Sequence, residues 1–209
     1  TNVTASATSS AFATVSANAA TLNPGDTLFF DEWVSVSGLA VGNYTVDYAV
    51  TSDQSGSEGN TANDSWQRSF EVTTDVYSLD KIGGHPEGTE ILTVFSTAQF
   101  TGGADGVMGF TYYPIIEDLA VTGIQLQLAS GTVAGGILQV TLHDSTTLLS
   151  DDPSPLFQSD DHEVTDSDIE TGTITVVFDD PFTLEPGSYY AGITLYSNEN
   201  ENDIRILDD

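Results

Sequence analysis

Apolar and polar residues alternate with period two along most of the chain. In Tyr44-Thr-Val-Asp-Tyr-Ala-Val-Thr51, Tyr44, Val46, Tyr48 and Val50 share one face, and Thr45, Asp47 and Thr51 share the other. Trp66, Phe70 and Val72 alternate with Gln67, Ser69, Glu71 and Thr73. Ile124, Leu126 and Leu128 alternate with Gln125 and Gln127, and Ile174, Val176 and Phe178 continue the pattern. Leu138, Val140 and Leu142 alternate with Gln139, Thr141 and His143, which places His143 on a polar face and predicts it exposed. Such alternation marks half-buried strands of antiparallel sheets. No apolar stripe of helical period is sustained, so helices are expected to be short. Asn23-Pro-Gly-Asp26 and Glu185-Pro-Gly-Ser188 each set Pro before Gly and predict type II turns, in which Pro presets φ and Gly accepts a positive φ.

The 209 residues suffice for one large or two ordinary domains. A boundary is expected near residues 74–80, where the strand-rich Phe70-Glu-Val-Thr73 gives way to Gly83-Gly-His-Pro-Glu-Gly88, which reads as a loop. Residues 1–76 fall short of the roughly 100 residues of a full sandwich. That segment is therefore expected to lack its first strand or two, and the chain to be a piece of a longer one. Residues 77–209 can form a jelly-roll-like sandwich. The expected class is all-β, with two tandem antiparallel β-sandwich domains.

Charge narrows the function classes. Asp and Glu number 32, against three cations, Arg68, Lys81 and Arg205, for a net charge of −29. Nucleic-acid phosphates need Lys and Arg partners, and anionic lipid surfaces repel such a chain, so neither is an expected partner. Salt or divalent cations relieve the self-repulsion, which suits a saline or calcium-containing exterior and equally a merely acidic secreted protein. There is no cysteine, hence no thiolate or disulfide chemistry, and no apolar run of the ~20 residues a membrane span needs.

The order Thr21-Leu-Asn-Pro-Gly-Asp26, Gly42-Asn-Tyr-Thr-Val-Asp-Tyr-Ala-Val-Thr-Ser-Asp53, Asn63-Asp64 and Phe70-Glu-Val-Thr73 resembles the immunoglobulin-like modules, related to the bacterial cell-adhesion-related domain, of large secreted proteins of Bacteroidota. The second segment is similar to β-sandwich modules that follow such domains. Its matching phrases are Val121-Thr-Gly-Ile-Gln-Leu126, Gly136-Ile-Leu-Gln-Val-Thr-Leu-His-Asp144, Phe157-Gln-Ser159, Pro181-Phe-Thr-Leu-Glu-Pro-Gly-Ser-Tyr-Tyr190 and Asp203-Ile-Arg-Ile206. The resemblance implies export, with type IX secretion as the route, and an extracellular or cell-surface life. It implies no single activity.

The densest candidate chemistry is Gln158-Ser-Asp-Asp-His-Glu-Val-Thr-Asp-Ser-Asp-Ile-Glu-Thr-Gly172. His162-Glu-Val-Thr-Asp166 has Asp where a zinc H-E-x-x-H motif has its second His. If extended, positions 162 and 166 lie ~13 Å apart and cannot share an ion. Asp166, Asp168 and Glu170 form the candidate metal set, for calcium. They depart from the EF-hand, with Thr171 at its glycine position and Val177 at its glutamate position. On a strand the three acids would share one face, as paired carboxylates of a glycosidase must. The competing reading is a short capped turn, with Thr165 as N-cap, Asp168 as its partner and Gly172 as terminator. Asn198-Glu-Asn-Glu-Asn-Asp203 reads as a solvated hairpin tip.

The sequence therefore predicts a non-catalytic structural, adhesive or assembly module of a secreted or surface protein. Its partners would be the rest of a parent chain or like subunits, with calcium as the one candidate cofactor. The alternative is a carbohydrate-binding accessory module of a secreted hydrolase, with surface glycans as partners.

Overall fold

The computed structural model describes residues 2–30, 34, 36–78, 82, 90–100, 105–149 and 154–208. Trp33, Lys81, His85 and the expected loop at 83–88 lie outside the described residues. The protein is all-β, built of antiparallel sheets, and divides into two compact units, Thr1–Ile91 and Leu92–Asp209.

The described strands of the first unit form one sheet. β1 (Val3–Ser9), β2 (Phe12–Ala19), β3 (Gly42–Ser52) and β4 (Ser65–Val72) lie in the order β2-β1-β3-β4. Its registers pair Ala7 with Tyr48, Tyr48 with Trp66, and Tyr44 with Phe70. The alternation thus gathers the apolar residues of three strands on one face. Tyr44 and Phe70 stack there at 5.3 Å, and Ala7 and Val46 are buried. Cross-strand polar pairs hold the opposite face: Thr4 donates to Asn18 at 2.7 Å, and the Gln67 amide donates to Asp47 at 2.7 Å. The first Pro-Gly turn forms as expected, with the Asp26 N–H donating to the Asn23 carbonyl at 3.0 Å and Gly25 at φ +92.

The second unit is a two-layer sandwich. One layer contains β8 (Ile137–Asp144), β12 (Gly187–Tyr196) and β6 (Val107–Ile115), ordered β8-β12-β6. The short β9 (Phe157–Gln158) and β10 (His162–Glu163) pair along the free edge of β8. The other layer pairs β11 (Thr173–Leu184) with β7 (Leu119–Gln127), and β13 (Arg205–Asp208) with β5 (Thr93–Ser96). A bridge from Leu128 to Ile206 joins the two pairs. Leu138, Val140 and Leu195 from the first layer pack on Ile174, Val176, Phe178 and Ile206 from the second, with Val164 and Ile204 filling in from the connections. Each such side chain contributes about 1.5–3 kcal/mol when fully buried. The two helices, α1 (Ser145–Leu148) and α2 (Asp166–Thr171), are single turns between strands. The second Pro-Gly phrase differs from expectation. Gly187 is not among the residues with positive φ and opens β12 directly, so no type II turn forms there.

Candidate functional site

The acidic stretch that dominates the sequence folds as β10 followed by α2. Thr165 takes an extended N-cap conformation, and its hydroxyl accepts from the Asp168 N–H at 3.2 Å. The Asp168 carboxylate returns to the Thr165 N–H at 2.9 Å and hydroxyl at 2.8 Å. Gly172 then terminates the turn at φ +72, a conformation that costs other residues energy. This is the capped turn that the sequence offered against the calcium loop. Because the segment is helical, the strand reading with three acids on one face fails. At about 100° per residue, Asp168 points nearly opposite to Asp166 and Glu170. The Asp168 Oδ2 atom also lies 3.2 Å from His162 Nε2. Partial burial pushes the Asp168 carboxyl up, but the Thr165 bonds and His162 outweigh it and hold it below the usual carboxylate range. Among the described residues, no group of three or more His, Cys, Asp or Glu side chains is arranged to hold a metal ion.

The final acid of the expected hairpin tip departs from the sequence reading. Asp203 is only 7% exposed. Its Oδ1 accepts from the hydroxyls of Ser96 at 2.8 Å and Thr97 at 2.6 Å, and from the Ala98 N–H at 3.0 Å. Its Oδ2 accepts from Arg205 Nε at 2.7 Å. Desolvation raises its pKa, and the bonds from Thr97, Arg205, Ser96 and Ala98 reverse the sign, so the carboxyl stays ionised to lower pH than usual. Asp203 thus ties the start of β13 to the end of β5. Preceding it, Asn198, Glu199 and Asn200 all adopt positive φ. Asp105 holds that turn by accepting from the Ser197 N–H at 2.6 Å and the Glu199 N–H at 3.3 Å. Both carboxylates are engaged in holding the fold.

The outward face of the β8-β12-β6 layer is different in kind. Its registers set three rows of three residues: Met108, Thr194 and Gln139; Phe110, Gly192 and Thr141; Tyr112, Tyr190 and His143. Phe110 is 41% exposed and Tyr112 45%. Gly192 makes room for this arrangement. A Cβ at that position would lie 2.4 Å from Thr141 Oγ1 and 2.7 Å from the Phe110 ring, so only glycine lets the ring lie across β12. Phe110 then meets His143 edge to face at 5.4 Å, and Tyr112 meets Tyr190 at 5.4 Å. The Tyr112 hydroxyl shares a hydrogen bond of 3.0 Å with Ser188.

His143 is therefore buried, at 4% exposure, where alternation predicted it exposed. The cause is long-range: Phe110 reaches over Gly192 to cover it. Burial pushes the imidazole pKa down, against a smaller upward pull from Asp144, so the ring is held neutral. Its Nδ1 has no hydrogen-bond partner. At the β9 margin, Gln158 donates to Gln139 at 3.2 Å, and Gln139 donates to Asp161.

No protein-family model and no curated protein matches the chain. Among solved structures it is similar to a chain from infectious bursal disease virus, Gx strain, at 12% identity and a TM-score of 0.27. The alignment covers 99% of this chain and spans 54% of the viral one, and at that score it carries no structural argument.

Sequence reasoning named neither Phe110 nor Tyr112. A signal was present in Val107-Met-Gly-Phe-Thr-Tyr-Tyr-Pro-Ile115, where Met108, Phe110 and Tyr112 recur at every second position. The inward residues of β6 include Gly109, Thr111 and Tyr113, so hydrophobicity alone points the strand the wrong way round.

Proposed function

We propose that the chain is a non-catalytic adhesive or assembly module of a secreted or cell-surface protein, with an immunoglobulin-like first module and a jelly-roll-like second. The observation that carries this reading is the outward aromatic face of the β8-β12-β6 layer. Large exposed apolar side chains in one patch mark interaction surfaces. Here Met108, Phe110 and Tyr112 stand exposed in one row of adjacent outward positions on β6. The remaining acids with lowered pKa values are engaged by neighbouring donors, which favours structural roles for them. The resemblance to modules of secreted Bacteroidota proteins supports the same reading, including export through type IX secretion.

Beads coated with the full chain should attach to bacterial cell-surface material, and beads carrying Phe110→Ala with Tyr112→Ala should not. Equal attachment by both would remove the face from the function. Polysaccharide hydrolysis by the wild-type chain that disappears in Asp168→Asn would overturn the non-catalytic reading.

A further inference from the structure

The same face has a size and a charge that select its ligand. The nine positions from β6 across β12 to β8 carry no ionised side chain, although the chain's net charge is −29, and the nearest named carboxylate, Asp161, stands at the β9 margin bonded to Gln139. With strands about 4.8 Å apart and a rise of about 3.4 Å per residue, the grid spans roughly 10 by 14 Å. Thr141, His143, Gly192 and Thr194 within it are buried, so the accessible part is the Met108, Phe110 and Tyr112 row with the half-buried Tyr190 and Gln139, well under about 300 Å². A stable protein–protein interface needs about 800 Å² per partner. Two copies would in addition bring their like charges together. A protein partner is thus disfavoured on area, and a second copy on area and charge.

What fits is a small, uncharged ligand with both apolar faces and hydroxyl groups. Phe110, Tyr112 and Tyr190 offer ring faces already fixed by packing on Gly192 and on each other, so little side-chain freedom is lost on binding. Aromatic rings with polar tips suit ligands that are apolar on one side and wet on the other. The polar partners lie alongside. The Tyr112 hydroxyl and Ser188 stand at one end, and the amides of Gln139 and Gln158 stand along the β9 margin. His143 adds a nearly buried ring nitrogen with no partner, directly beneath Phe110. Leaving such an atom unpaired is costly, so a hydroxyl that reaches it on a small shift of the ring is favoured.

We infer that the outward face of the β8-β12-β6 layer binds an uncharged glycan, its sugar rings laid on Phe110, Tyr112 and Tyr190. The inference rests on the adhesive reading of this face and names the molecule held there.

The test is native affinity electrophoresis of the full chain through gels containing dextran, hydroxyethyl cellulose or galactomannan, with alginate as the anionic comparison. At least one neutral polymer should retard the chain, and alginate should not. Tyr112→Ala and Tyr190→Ala should each weaken retardation at least tenfold with an unchanged far-UV circular dichroism spectrum. Tyr112→Phe should retain most of it, and Trp66→Ala, in the first unit, all of it. Failure of all three neutral polymers, retention only by alginate, or retardation indifferent to both alanine variants overturns the inference. Sedimentation velocity in 0.5 M NaCl separates that failure from failure of the adhesive reading. Self-association abolished by Phe110→Ala, without glycan retention, would make the face a contact between copies. Absence of self-association, glycan retention and bead attachment alike would remove both.

Discussion

Replacing Asp203 with Ala deletes one carboxylate and strands the donors gathered around it. Ser96 and Thr97 are buried and aim both hydroxyls at Oδ1, joined by the Ala98 N–H. One of the three has a partial substitute: the Ala98 N–H also reaches Ser96 Oγ at 3.1 Å. The two hydroxyl protons are left without an acceptor, at about 1–3 kcal/mol each. A small void and the unpaired Arg205 add to this, so the expected loss is about 3–5 kcal/mol, the upper range for one substitution. For a unit the size of Leu92–Asp209, that lowers Tm by roughly 10–20 °C. Asp203→Asn keeps an oxygen for the three donors and loses mainly the charge pairing with a partly exposed Arg205, so it should cost about 1–2 kcal/mol. Both tryptophans lie in the first unit, so their fluorescence does not report this change. Scanning calorimetry or near-UV circular dichroism of the tyrosines does. A loss under about 1 kcal/mol for Asp203→Ala, or an Asn variant as damaged as the Ala one, would refute the reasoning.

Stability should fall with acid for a reason whose sign follows from the groups involved. Asp203 and Asp168 are held below the ordinary carboxylate range, so their contribution is full above about pH 4 and is lost as pH drops through the folded values. His143 is held below 6.5, so the unfolded chain takes up that proton first, and stability should begin to fall once pH drops below about 6.5. Urea midpoints at pH 8, 6, 4.5 and 3 should show both limbs, and His143→Phe should erase only the upper one. A wild-type midpoint that rises relative to His143→Phe between pH 7 and 5 contradicts the assignment. Thr165→Ala should cost about 1 kcal/mol through the lost cap, and Gly172→Ala about 1 kcal/mol through its left-handed backbone, both read by urea denaturation. Calcium and magnesium at equal ionic strength should raise Tm alike, because Asp166, Asp168 and Glu170 do not converge. A calcium-specific increment reversed by chelation, and lost on Asp166→Asn, would show that they do.

Local features of the chain were legible where local chemistry decides them. The β11 alternation put Ile174, Val176 and Phe178 in the core, and all three are buried. Thr165, Asp168 and Gly172 spelled a cap, a partner and a stop within eight residues, and α2 follows them. Apart from the Glu185-Pro-Gly-Ser188 turn, the failures are non-local. His143 is covered by a ring 33 positions earlier in the chain, which no window of sequence around β8 contains. Asp203 looked like loop decoration because three of its donors, from Ser96, Thr97 and Ala98, lie more than 100 positions upstream. The binding face needed three strands in register before its rows existed, and the glycine at its centre reads in sequence only as a weak point in β12.

The misreading of Asp203 has its cause in the charge balance. A chain with three cations can pair few of its structural carboxylates with salt bridges, and Asp203 with Arg205 is one such pair. It satisfies them with hydroxyls, amides and backbone N–H groups: Asp26 through Asn23, Asp105 through Ser197, Asp144 through Thr146 and Thr147, Asp168 through Thr165, Asp203 through Ser96 and Thr97. In each case the carboxyl is held below its ordinary range, with those bonds among the causes, joined by Arg205 at Asp203 and His162 at Asp168. Short bonds to neutral donors depend on contact geometry, and salt screens them far less than it screens separated charges. Salt therefore removes the repulsion among exposed acids without loosening the acids that hold the fold. An acidic chain built this way gains stability as ionic strength rises.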